Sequence, residues 1–437
     1  MTLRHSLSHR RALLCVGKGA RDSAREPGGN AMKSTQLLAT AATIALLPAA
    51  ASALGVDRTG QNITVLFEKG NYAELSFAHG MPDVTGEDSD LYAAPNVLAL
   101  PGGADIDNVG NDFNQFGAAL KMDIDDKLSF ALIFDKPFGS DGEYDDAPSV
   151  PTPGGDSSNL LGGTKAKLKS KAITALARYK FNENYSVHGG LRYTNVEADV
   201  TLRGLAFGGL SGYSADFEDD WDLGYVIGAA YERPELALRV ALTYNSKTEH
   251  KLHTEENLPL ALQGAFGLPA QVTSTTTVEI PESVNLDFQM GLNPKTLLFG
   301  QLRYAWYEDF QTSPRVFDAA ADPGNDGTSL TEASDKWSLK IGVGRQLTDK
   351  LAGSITLGYE PDEDNNVLTP LNPASDGFKS IALGLAYKAT DAVTISGGVT
   401  YISLNDTRVG TGIPREERAT FDSNDIVAVG MKVGYRF

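Results

Sequence analysis

The side chains of this chain that could do chemistry are acidic clusters, six histidines, one cysteine and a set of well-separated cations. "EDSD" (87–90), "DGEYDD" (141–146), "DFEDD" (216–220) and "EPDEDNN" (360–366) could offer oxygens to a calcium ion. None has the twelve-residue spacing of a calcium loop, so solvated loops are the simpler reading. His250 and His253 stand three apart, and on an extended strand that spacing sends them to opposite faces. "LGGTKAK" (161–167) is glycine-rich but lacks the phosphate-loop spacing. No serine nucleophile motif occurs. The residues therefore point to no catalytic group, no metal and no cofactor. With 38 basic against 56 acidic residues, a formal charge of -18, nucleic acid is not an expected partner, because phosphate binding needs clustered Lys and Arg.

The cations lead to the elements that must hold them. Arg239, Arg303, Lys340, Lys388, Lys432 and Arg436 each sit in a segment read as a strand, most of them in one of clear apolar–polar alternation. In "VAVGMKVGYRF" (427–437) every odd position is apolar, while Lys432 and Arg436 take even ones. Leu236 to Asn245, Trp337 to Gly344 and Ile381 to Lys388 repeat the pattern. Period 2 means strands with one greasy face and one small or polar face. Fourteen such segments are expected, at 70–83, 111–123, 127–138, 164–181, 184–203, 213–232, 235–252, 272–292, 295–312, 335–347, 350–360, 377–388, 392–404 and 424–437.

The connections between them alternate in length. Asp125-Asp126, Asn182-Glu183, Arg233-Pro234, Asn293-Pro294, Thr348-Asp349 and Thr390-Asp391 are tight turns of turn-forming residues. The other seven, at 84–110, 139–163, 204–212, 253–271, 313–334, 361–376 and 405–423, are mostly long and rich in Gly, Pro, Asp and Asn. The expected fold is all-β, a 14-stranded antiparallel transmembrane barrel with short periplasmic turns and long extracellular loops. Hydrocarbon cannot satisfy exposed N–H and C=O groups, so the sheet must close on itself. The apolar faces then meet outer-membrane lipid and the cations face the lumen.

The chain start supports export. Met32-Lys33 is followed by an apolar core ending in Ala51-Ser52-Ala53, which reads as a signal peptide over 32–53. Residues 1–31 read as an upstream extension or long n-region. Removing 1–53 takes away seven basic and two acidic residues, leaving 31 minus 54, or -23. It also removes Cys15, the only cysteine, so the exported chain has no disulfide and no thiol chemistry. Residues 54–69 would form a short N-terminal plug and 70–437 the barrel.

Several stretches resemble those of the FadL-type transporters of long-chain fatty acids and aromatic hydrocarbons. "DKPFGSDGEY" (135–144) resembles the family's Pro-Phe-Gly stretch after the third strand, and "YNSKTEHKL" (244–252) its Tyr-x-Ser-x-x-x-His stretch. "IPESVNLDFQMGLNPKTLLFGQLRYAWY" (280–307) and "LGYEPDEDNN" followed by "TPLNP" resemble its central hairpin and the loop after strand eleven. Phe437, as a terminal aromatic, resembles the signal read by the barrel assembly machinery. Family members carry a plug of about forty residues with an Asn-Pro-Ala motif, which 54–69 lacks, so the plug is expected to be reduced.

The resemblance implies passive uptake of a hydrophobic small molecule across the bacterial outer membrane by a monomer, with long-chain fatty acids the expected cargo. Monoaromatic hydrocarbons, or a general pore for small polar solutes, are the alternatives. The implied capture site is an apolar groove between loops, for which Leu205, Phe207 and Leu210, with Leu258, Leu260, Leu262, Phe266 and Leu268, are the candidates. The implied lateral opening falls at Pro137, Phe138 and Gly139, since Pro137 lacks a ladder N–H. Arg239, Arg303, Lys340 and Lys388 are candidates for meeting a headgroup in the lumen.

Overall fold

The computed structural model describes residues 56–437 apart from 95–96, 323–327, 332, 363–376 and 413–414. The expected leader and the "TPLNP" stretch lie outside the described residues. The alternation becomes fourteen wall strands in meander order. They are β1 (Tyr72–Asp88), β2 (Phe113–Asp123), β3 (Leu128–Asp135 and Gly139–Glu143), β4 (Lys165–Lys180), β5 (Tyr185–Leu202), β6 (Tyr213–Arg233) and β7 (Leu238–Asn245 and Thr248–Asn257). They continue as β8 (Gln271–Ile280 and Ser283–Asn293), β9 (Thr296–Ala305), β10 (Lys336–Gln346), β11 (Leu351–Glu360), β12 (Phe378–Lys388), β13 (Val393–Leu404) and β14 (Glu416–Arg436). All neighbours are antiparallel, and β1 closes the barrel on β14 from Tyr72↔Arg436 to Asp88↔Ala419. Two short helices, α1 (Leu260–Phe266) and α2 (Arg315–Ala321), lie in the loops at one end. No helix among the described residues is long and apolar enough to cross a membrane.

The tight turns follow from their side chains. Asp125 Oδ1 accepts the N–H groups of Lys127 and Leu128 at 2.7 and 2.8 Å, and Asn182 Oδ1 those of Asn184 and Tyr185 at 2.8 and 2.9 Å. Thr348 and Thr390 do the same with their hydroxyls. A local side-chain acceptor replaces the backbone partner that the reversal removes.

The faces sort as the alternation requires. Leu383, Leu385, Met431 and Tyr435 are exposed, whereas Lys432 points inward to Glu74 at 3.1 Å and Arg436 to Glu68 at 2.6 Å. Outward aromatics pair in two belts. Tyr179–Phe181 and Tyr435–Phe437 lie near the short-turn end, and Tyr193–Trp221 and Trp337–Tyr359 nearer the long-loop end. This is the dress of a wall facing lipid between two interfaces.

The structure departs from the sequence reading mainly at the long-loop end. β14 begins at Glu416 rather than 424, and β7 runs to Asn257. Beyond the lipid level nothing demands an apolar outer face, so polar segments such as "EERATFDSN" leave no alternating signal. The loop read at 84–110 holds a small hairpin, Leu91–Ala94 with Val97–Leu100. β3, β7 and β8 are each interrupted, and the break in β3 shapes the site.

A broken wall and an apolar cluster above it

β2 and β3 pair only from Ala118↔Phe134 to Asp123↔Ser129. Above that, β2 keeps its β1 partner, from Gly80↔Phe113 to Ser76↔Gly117, but loses β3. Lys136-Pro137-Phe138 leave the wall, and the chain rejoins β4 at Gly139↔Lys169. Pro137 has no N–H to give, so an uninterrupted ladder was closed to it. Its carbonyl instead accepts the Arg58 N–H at 2.8 Å. The Ser170 hydroxyl substitutes for a ladder partner, accepting from Phe138 N at 2.8 Å and donating to Phe138 O at 2.7 Å. Asp57 forms a single β-bridge with Phe138, and Gly139 N–H donates to Val56 O at 2.8 Å.

Backbone pairing resumes above the gap, with a Gly110↔Gly142 bridge and Asn111 N–H donating to Asp141 O at 3.1 Å, but across the gap itself only side chains reach. Gln115 Nε2 donates to Lys136 O at 3.1 Å, and Lys136 Nζ to Asn114 O at 3.4 Å. A cavity of about 90 Å³ opens there, lined by inward residues such as Thr59, Glu74 and Asp135 and by the outward Phe77, Phe116 and Phe134. Its walls therefore belong to both the lumen and the outer face.

Below the gap the N-terminal segment fills the lumen. Ile63, Val65, Leu66 and Phe67 are buried against Ile133, Leu176, Val226 and other inward apolar residues. The Phe67 ring lies under two guanidinium groups, 4.7 Å from Arg178 and 4.6 Å from Arg239, and meets His188 edge-on at 5.6 Å. Cation–π contacts of this kind are strongest where water is excluded.

A polar layer sits around the start of this segment. Arg303 Nε bonds Asp57 Oδ2 at 2.6 Å, while its Nη1 donates to Ser283 Oγ and Asn285 Oδ1, both at 2.9 Å. The Tyr307 hydroxyl reaches Asp57 at 3.5 Å, and burial together with that carboxylate pushes it well above the usual phenol range. Arg303 thus has its donors engaged. Lys340 makes no hydrogen bond or ion pair with a described residue, and its charged neighbours are Asp57, Glu360 and Arg303. Arg239 lies over Phe67, and its buried Nε has no hydrogen-bond partner among the described residues. Lys388 is a correction to the lumen expectation: it sits at the short-turn end, its ammonium 2.5 Å from Asp391 in the adjoining turn.

At the long-loop end the groove candidates divide. Leu258 and Leu262 are buried in one apolar cluster, with Phe207, Leu210 and Leu268 packed on it. Phe138 from the broken strand and Tyr307 join the same cluster. Leu205 at 45%, Leu260 at 84% and Phe266 at 41% exposure turn outward. Glu256, fully buried, fixes α2 to β7: its carboxylate accepts the Tyr213 hydroxyl at 2.8 Å and the N–H groups of Val316 at 2.9 Å and Phe317 at 3.1 Å. A second cluster, with Phe113, Tyr144, Leu161, Phe378 and Phe421, lies beside it, and Phe207 packs on both.

Asp57, Arg58, Phe67, Gln115 and Glu256 carry much of this arrangement, and none was singled out from the sequence. "VDRTG" (56–60) offers charge without periodicity, so nothing local marks it as the segment that pairs with a broken strand 80 residues on.

The family described as outer membrane protein transport protein (OMPP1/FadL/TodX) matches residues 83–437. No curated protein sequence matches the chain. Among solved structures, a Pseudomonas aeruginosa FadL homologue superposes with a TM-score of 0.72 at 16% identity, covering 90% of this chain and 98% of that one. The P. putida toluene transporter TodX gives 0.55 at 14%, covering 86% and 92%. The Ralstonia pickettii toluene transporter TbuX gives 0.53 at 12%, covering 85% and 90%.

Proposed function

The chain belongs to the outer membrane protein transport protein family (OMPP1/FadL/TodX), which makes it an outer-membrane β-barrel for hydrophobic substrates, and we propose that its cargo is long-chain fatty acids. The acid is taken up at the extracellular loop end and leaves sideways through the β2–β3 gap. Residues 32–53 act as the export leader, the short turns face the periplasm, and Phe437 is offered to the assembly machinery.

The cavity that joins lumen and outer face at the β3 break is the observation that carries this reading. An open polar pore is disfavoured by the buried N-terminal segment beneath it. A hydrophobic solute gains about 0.8 kcal/mol per buried methylene in an apolar groove, and little in a water-filled channel. The exposed Leu205, Leu260 and Phe266 offer a first landing surface, and the buried cluster behind them a second station. Lys340, without an ion pair among the described residues, suits a carboxylate better than a neutral hydrocarbon.

Uptake of labelled oleate by cells lacking their own outer-membrane fatty acid transporter, with and without this chain, tests the proposal. Restored uptake is expected. No uptake from a heat-modifiable, surface-assembled barrel would sink it and favour aromatic cargo. Leu260→Asp with Phe266→Asp is expected to lower the uptake rate several-fold while heat-modifiable migration is unchanged, since both side chains are exposed.

A further inference from the structure

Arg58 is 6% exposed, yet its side chain is only partly used. Nε donates to Gly139 O at 2.8 Å, and the guanidinium carbon stacks 3.7 Å from the Phe113 ring centroid. Neither Nη group has a hydrogen-bond partner among the described residues. A guanidinium carries five N–H donors, and the terminal pair of this one keeps what solvent contact Arg58 has, open to an incoming acceptor. Of the carboxylates nearby, Asp57 is bonded by Arg303, and Asp141 is held by Lys167 at 2.5 Å and by Asn111 at 3.0 Å. Asp135 accepts from Thr59 through Oδ2, while its Oδ1 has no partner among the described residues.

The position of Arg58 matters as much as its spare donors. Phe113 is the top of β2, above the stretch that has lost its β3 partner, and Gly139 is where β3 rejoins the wall, so Arg58 spans the upper rim of the gap. Phe113 belongs to one apolar cluster and Phe138 to the other, so both apolar stations end beside this guanidinium. Its neighbour Thr59 lines the cavity below, and Lys340 does not.

We propose that Arg58 is a carboxylate-binding residue at the entrance to the lateral gap, and that it selects anionic amphiphiles over neutral hydrocarbons of the same length. Planar bidentate pairing of a carboxylate with the two Nη groups is the geometry guanidinium recognises best. The cavity below is walled by Phe77, Phe116 and Phe134, which suit a hydrocarbon tail, so the head stays on Arg58 and the tail leads through the gap. The assignment rests on the fatty-acid reading above.

The test compares binding of oleate and methyl oleate, which share a chain and differ in charge, to the purified full-length barrel. The wild type should favour oleate by about tenfold or more, the worth of one charge-assisted pairing. Arg58→Gln should bring the ratio to about one at unchanged methyl oleate affinity, and Arg58→Lys should keep part of it. A ratio unchanged in heat-modifiable Arg58→Gln overturns the assignment. Equal loss of both ligands overturns it too, because that is the signature of a residue that only anchors the N-terminal segment. Equal binding of the two by the wild type overturns this assignment alone, whereas binding of neither overturns the fatty-acid reading with it.

Discussion

Two stretches of the same wall carry different sequences to different ends. β12 and β13 pair without interruption from Phe378↔Leu404 to Lys388↔Thr394, while β2 and β3 stop pairing above Ala118↔Phe134. In the first, every backbone group has a ladder partner, and the outer face is a plain run of Ile381, Leu383, Leu385 and Tyr387. In the second, Pro137 removes a donor and the partners come from elsewhere: Ser170, Gln115 and the segment 56–59. The continuous wall is a barrier whose stability is repeated pair by pair. The broken wall is a composite, and it is the piece through which the proposed exit runs.

That contrast can be attacked at the filler first. Deleting residues 56–69 should turn a barrel with an occupied lumen into one that conducts ions steadily in a planar bilayer, the largest change expected. A silent deletion variant that still inserts would show that the wall seals itself, and the distinction between the two stretches would lapse. A narrower cut is Phe67→Ala, which removes a buried ring held by Arg178, Arg239 and His188. It should cost about 3 to 5 kcal/mol of stability, as truncation of a packed aromatic does, and give brief, flickering conductance. A lower heat-modification temperature with no conductance would place Phe67 in stability alone. The smallest change is Gln115→Leu, which deletes one side-chain bond across the gap. About 1 kcal/mol or less is at stake in the fold, but the oleate uptake rate should change two- to three-fold. In the continuous wall, Ser396→Ala removes a buried hydroxyl that has no hydrogen-bond partner among the described residues and should leave uptake where it was.

Much of the barrel was legible because lipid imposes one rule on every outward position. Met431 and Tyr435 face out, and Lys432 faces in, for reasons local to each strand. The turns at Asp125, Asn182, Thr348 and Thr390 were legible because their side chains bond two and three residues along the chain. Pro137 was readable as a place where a ladder could fail. The candidate site was less legible. Of the groove residues, nothing in "LPLALQGAFGL" separates Leu262, which is buried, from Leu260, which is 84% exposed, since that depends on which face of α1 meets the strands beneath. Lys388 and Lys340 share the same strand pattern, yet one meets a turn aspartate and the other does not.

The amino-acid order alone determined strand number, facing and closure, because period-2 alternation, turn chemistry and the demands of hydrocarbon act over a few residues at a time. Only the tertiary structure decided what fills the break. Asp57 and Arg58 are far in sequence from Phe138, Gly139 and Arg303, and no periodic signal links residues whose partnership exists only once the barrel has closed around them.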